Sequence, residues 1–201
     1  LEDKIEVFDI NTNTVTIDHT NPHQAINFAS FTYNGTIITI GGSIKMSESG
    51  KKTYTNKVHS YDINSGYWYE LTSMPTAKEV NGVLIKDKIY LIGGNNEKAS
   101  STIESFDLTT ESWKTEGELL DNYELPSITY TNDLIYFFEN EKINTYDIKT
   151  KILKEYLINL PLKASKLYFC DDKLYILGGY LENYYSQYPS ASLFSIDINE
   201  F

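Results

Sequence analysis

Residues 88–113 read KIYLIGGNNEKASSTIESFDLTTESW, and this stretch decides the fold. Ile89-Tyr90-Leu91-Ile92 is a short burst of β-branched and aromatic residues, stopped by Gly93-Gly94. An irregular polar segment follows, then Ser105-Phe106-Asp107, and Trp113 stands seven residues beyond Phe106. Bursts of four or five such residues, bounded by Gly, Asn or Asp, are strands. Equivalent bursts occur at Ile37–Ile40, Leu134–Phe138 and Leu174–Leu177. Tight-turn residues precede them: Asn34-Gly35, Lys86-Asp87, Asn132-Asp133 and Asp171-Asp172. Asn-Gly is the preferred pair for a type I′ hairpin, where both central residues need φ > 0. That turn accounts for Asn34-Gly35-Thr36, which also spells a glycosylation sequon. The pattern predicts an all-β chain.

The markers repeat. Gly41-Gly42, Gly93-Gly94 and Gly178-Gly179 each close a burst, and Glu139-Asn140 closes the remaining one as a degenerate copy. A hydrophobic residue followed by aspartate comes next in each unit: Tyr61-Asp62, Phe106-Asp107, Tyr146-Asp147 and Ile196-Asp197, with Phe8-Asp9 ahead of the first glycine pair. Trp68 and Trp113 hold the position seven residues after the hydrophobic marker, and Val15 and Leu153 hold it in weaker copies. Self-similarity of this kind means a repeat architecture. Glycine lets backbones approach closely, the aromatic pair fills space between units, and aspartate starts a turn by bonding its own backbone. These residues are expected to be structural.

This arrangement resembles the Kelch repeat, the unit of Kelch-type β-propellers. The resemblance implies blades of four antiparallel strands, A to D, with the glycine pair closing B, the tyrosine on C and the tryptophan on D. It places strands C and D of one blade in residues 1–17 and full blades at 26–72, 80–117 and 126–158. Strands A to C of a further blade fall in 166–201. About four blades are thus expected, in a segment of a larger propeller rather than a four-bladed ring with an odd strand.

Composition narrows the function. The 201 residues carry 17 lysines, no arginine and 28 acidic residues, a net charge of −11. Such acidity disfavours nucleic acid, and no apolar run is long enough to insert in a membrane as a helix. Cys170 stands alone, so neither a disulfide nor a cysteine-based zinc site is expected; a buried thiol is. His19 and His23 share one loop with Asp18, half of a metal site at most. Galactose oxidase and sialic-acid epimerases resemble this fold, but the first needs histidines from separate blades and a linked cysteine–tyrosine pair. The second grips a sugar carboxylate, work suited to the arginine this chain lacks. No catalytic residue, metal or cofactor is expected.

The resemblance puts the long B–C and D–A connections on one face, and propellers carry function on loops. The B–C connection from Tyr180 to Ser192 is the most aromatic, with Glu182, Asn183, Tyr184, Tyr185 and Tyr188 as candidate ligand contacts. Tyr123 and Asn96 are the candidates from neighbouring blades. Aromatic anchors suit stacking on a sugar or gripping a peptide, and equally suit folding over their own blade. The expected function is a non-catalytic module binding a protein or glycan. The alternatives are part of a carbohydrate-active enzyme with catalytic residues elsewhere, and a substrate adaptor.

Overall fold

A computed structural model describes residues 2–182 and 186–201. The described residues are strands, turns and a short 3-10 turn at Ile198–Glu200. They fall into two compact units: Leu1–Val80 with Thr110–Trp113, and Asn81–Thr109 with Lys114–Phe201.

In the first unit, β1 (Ile5–Asp9) and β2 (Thr14–Asp18) form a two-stranded ribbon. The strands β3 (Ala29–Tyr33) and β4 (Thr36–Ile40) then lead into an accessory ribbon, β5 (Ser43–Met46) and β6 (Lys52–Tyr54). Next come β7 (Val58–Asp62) and β8 (Trp68–Leu71), which complete an antiparallel sheet of order β3-β4-β7-β8. The turn between β3 and β4 holds Asn34 at φ 45° and Gly35 at φ 76°, the left-handed pair that a type I′ hairpin requires.

The second unit begins with β9 (Gly82–Ile85), β10 (Lys88–Ile92), β11 (Ser100–Asp107) and β12 (Ser112–Tyr123), one four-stranded sheet. A second sheet contains β13 (Ser127–Thr131), β14 (Leu134–Glu139), β15 (Lys142–Asp147) and β16 (Leu153–Leu157). After β17 (Lys166–Cys170) and β18 (Lys173–Leu177) comes a ribbon of β19 (Tyr180–Glu182) and β20 (Gln187–Pro189). β21 (Leu193–Asp197) then pairs with β18, giving a three-stranded sheet.

The glycine and aspartate markers do what their chemistry suggests. The glycine pairs follow β4, β10 and β18, and all six glycines have positive φ. A Cβ on Gly42 would stand 2.6 Å from the Ile26 carbonyl oxygen, so this position needs glycine for space as well as for φ. The marker aspartates all cap turns: Asp62 accepts from the N–H of Asn64 and Ser65 (2.9 and 2.8 Å), and Asp147 from Lys149 and Thr150 (2.8 and 3.0 Å). These N–H donors lower the carboxyl pKa of both aspartates. Tyr146 is buried in a core with Ile92, Ile103, Ile135 and Phe137, and its hydroxyl donates to the Glu116 carbonyl at 3.3 Å. A second core gathers Tyr136, Phe138, Ile143, Leu167, Leu174 and Ile176.

Four features depart from the sequence reading. β12 runs on to Tyr123, beyond the blade end at 117, because Leu119 and Tyr123 turn inward and are buried. The B–C connections of the first and last sheets are not irregular loops; they contain the ribbons β5–β6 and β19–β20. Cys170 is exposed, not buried, because Leu167 and Phe169 take the inward face of β17 and Cys170 falls on the other face, at the strand's last position. Trp113 is half-buried, and its indole N–H donates to the Thr72 carbonyl at 3.0 Å.

Candidate functional site

The D–A and B–C connections of the second unit converge on a cavity of about 450 Å3. Asn122 lies at the end of β12, Glu124 and Leu125 in the D–A segment that follows it, and Leu162, Lys163 and Ser165 in the one after β16. Ala99, from the B–C connection between β10 and β11, and Tyr180, from the last sheet's, complete the wall. Backbone pairing fixes this convergence: Lys163 and Tyr180 exchange N–H···O bonds of 3.0 and 2.9 Å, and the Gly94 N–H donates to the Tyr123 carbonyl at 3.0 Å.

Glu139 and Asn140 stand at the cavity where other blades have the glycine pair. Asn140 and Glu141, at φ 55° and 64°, turn β14 directly into β15, so this blade has no long B–C loop. The Glu139 carboxylate accepts from the N–H of Glu124 at 2.9 Å and of Leu125 at 3.2 Å. Burial pushes its pKa up, and these two N–H groups oppose the rise without cancelling it. Lys163 is engaged by the Glu182 carboxylate, which also accepts from Gln187 at 3.1 Å. A second cavity, of about 390 Å3, lies beside it and includes Glu141, Pro161, Lys163 and Glu182.

The candidate contacts separate cleanly. Glu182 is exposed beside the cavity, Tyr188 is 55% exposed on β20, and Asn96 is exposed three residues before Ala99. Asn183, Tyr184 and Tyr185 lie outside the described residues. Tyr123 is a core residue: its side chain is 1% exposed, and its hydroxyl lies 2.9 Å from the Asn144 amide and 3.4 Å from Glu155. Burial raises that phenol to about 12. Its backbone serves the cavity region and its ring serves the core. Sequence reasoning missed Glu139 and Lys163. The signal for Glu139 was the break in the glycine-pair pattern, which shows a departure from the repeat without showing that a cavity opens there.

The histidines lie in the first unit. His19 Nδ1 is 3.1 Å from Asp3, at the surface. His23 and His59 are buried and face each other, Nδ1 to Nδ1, at 2.8 Å. His23 Nε2 is 2.9 Å from the Gly41 carbonyl, which only accepts, so His23 carries its proton on Nε2 and its Nδ1 receives the Nδ1–H of His59. Burial lowers both, His23 to about 4, so both are neutral at pH 7. Among the described residues no group of three or more His, Cys, Asp or Glu is placed to hold a metal ion.

Four-stranded antiparallel sheets closed by glycine pairs, with aspartate-capped turns, define Kelch-type β-propeller blades. The comparisons agree. Residues 26–75 and 79–120 match the Kelch motif. "Kelch repeat and BTB domain-containing protein 2" of cowpox virus strain GRI-90 is 33% identical over 112 residues, 55% of this chain and 19% of that protein. The protein of the same name from cowpox virus strain Brighton Red is 32% identical over 112 residues, again 55% of this chain and 19% of that protein. The solved structure of YjhT superposes with a TM-score of 0.72 at 16% identity, covering 84% of this chain and 63% of that one. Residues 26–75 and 79–120 are thus Kelch repeats, and the chain spans 19% of the length of the curated relatives it matches.

Proposed function

We propose that this chain is a non-catalytic binding module whose B–C and D–A connections grip a protein partner. The observation that carries the proposal is the cavity where Asn122–Leu125, Leu162–Ser165 and Tyr180 meet, with the ribbon β19–β20 beside it. Kelch repeats generally serve as protein-interaction modules, and a concave site with polar walls and an adjacent exposed tyrosine suits a peptide. The three histidines and Lys163 already have structural partners: His23 holds His59, His19 holds Asp3, and Lys163 holds Glu182. A protein is favoured over a glycan because half-buried Leu125, backed by the buried Phe138 and Leu162, gives the cavity an apolar wall for an aliphatic side chain.

A combined peptide and glycan array tests this. Wild-type protein is compared with a variant carrying Tyr184→Ala, Tyr185→Ala and Tyr188→Ala, its fold checked by circular dichroism. The expected result is peptide hits on wild type that weaken at least tenfold in the variant. Glycan hits alone would overturn the protein-partner assignment, and hits equal on both proteins would move the site away from β19–β20.

A further inference from the structure

We propose that the cavity beside Glu139 receives a cationic side chain, the ammonium of a lysine or the guanidinium of an arginine, presented by the protein partner. This rests on the loop-face binding proposed above and names what that face recognises.

The cavity opens at the one full blade of the second unit whose B–C connection is a two-residue turn. The neighbouring connections hold the Asn95–Ala99 bridge and the ribbon β19–β20. Where the repeat would place two uncharged glycines, the wall instead carries a carboxylate. Each Glu139 oxygen takes one backbone N–H, from Glu124 to Oε2 and from Leu125 to Oε1, and a carboxylate oxygen can accept more than one. The other charged groups on the wall are Glu124 and Lys163, and Lys163 is engaged by Glu182. Two carboxylates therefore face the space while Lys163, the wall's lysine among the described residues, has its charge met by Glu182. Half-buried Leu125, backed by the buried Phe138 and Leu162, gives the wall an apolar part against which a lysine or arginine stem lies, of little use to a bare metal ion. The chain's net charge of −11 draws cations toward it.

Proton linkage supports the same assignment. Burial, with the Glu124 charge nearby, makes the Glu139 carboxylate harder to ionise, and a bound cation relieves that cost. Facing Glu139 are Glu124 from one D–A segment, Lys163 from the other and Tyr180 from the last blade; Glu182 stands behind Lys163. The Lys163–Glu182 pair keeps its charges, Lys163 being raised and Glu182 lowered by the bond between them. Cation binding is thus expected to weaken as pH falls, in step with protonation of Glu139.

The test is two-dimensional NMR titration of the whole chain with capped amino acids: Nα-acetyl-lysine methylamide, Nα-acetyl-arginine methylamide and their glutamine and glutamate counterparts, with 1,4-diaminobutane as a free polyamine. The cationic pair is expected to shift the amide signals of Glu124, Leu125, Asn140 and Lys163. Affinity is expected to fall about tenfold in Glu139→Gln and about threefold in Glu124→Gln, with the pH dependence lost only in the former. The pH dependence is read on the wild-type protein as well, so the proposal stays testable if Glu139→Gln does not fold. Cavity shifts from glutamate or glutamine but not from lysine or arginine would overturn the cationic assignment and leave loop-face binding standing. Tighter binding of diaminobutane than of both capped amino acids would overturn the protein source of the cation. Absence of any cavity shift would overturn the inference, while the array decides separately whether the loop face binds.

Discussion

Gly42→Ala is expected to destabilise the first unit far more than Gly50→Ala, although both glycines lie in the left-handed region. Gly42 has φ +101°, and an added Cβ would stand 2.6 Å from the Ile26 carbonyl oxygen and 3.1 Å from the Cβ atoms of Ala25 and Phe28. Gly50 has φ +82° and nothing within 4 Å. The conformational cost of an L-residue, about 1–2 kcal/mol, is common to both. So is the offset of a few tenths to about 1 kcal/mol from a stiffer unfolded chain. Only Gly42→Ala must also push backbone aside, at an overpacking cost of about 1–3 kcal/mol. The expected losses are about 2–4 kcal/mol at Gly42 and about 1 kcal/mol at Gly50. Urea unfolding followed by tryptophan fluorescence reads this directly, since Trp68 and Trp113 both belong to the first unit. Equal losses, within about 0.5 kcal/mol, would refute the claim that the repeat needs its glycines for close backbone approach.

Further outcomes follow from the same geometry. Trp113→Ala is expected to cost about 2–3 kcal/mol, below the range for fully buried aromatics because the ring is half-exposed; Trp113→Phe is expected to cost about 1 kcal/mol by losing the bond to Thr72. Tyr123→Phe leaves the Asn144 amide without its hydroxyl partner, so urea unfolding is expected to show a loss of about 1–3 kcal/mol. The buried histidines give a pH signature. His23 is lowered from 6.5 to about 4, so the unfolded chain holds more protons in that window. Its contribution is present above pH 6.5 and is lost as pH falls toward 4, about 2–3 kcal/mol in all. Unfolding measured from pH 7 to 4 is expected to show this slope in wild type and a shallower one in His23→Gln.

Much of this architecture was legible in the sequence because the repeat is enforced locally. Asp62 and Asp147 bond N–H groups two and three residues away, and Asn34-Gly35 sets its own hairpin. Such features depend on few distant residues, so spacing alone exposed them. The ribbons β5–β6 and β19–β20 were hidden because short, exposed strands carry little hydrophobic alternation. Tyr123 looked like a loop residue because its burial comes from β12 extending past the expected blade end. The cavity was illegible for a stronger reason. It is made by the absence of a long loop at Asn140-Glu141, bounded by segments some forty residues apart, and only the three-dimensional fold turns a degenerate repeat into a space.

The most direct measurement of the proposed role is hydrogen–deuterium exchange of the chain alone and with a peptide identified on the array. Binding on the loop face predicts added protection in 122–127, 161–165 and 180–190, with the hairpin turns at 86–87, 132–133 and 171–172 unchanged. Protection confined to those hairpin turns, with the cavity segments exchanging as before, would contradict it.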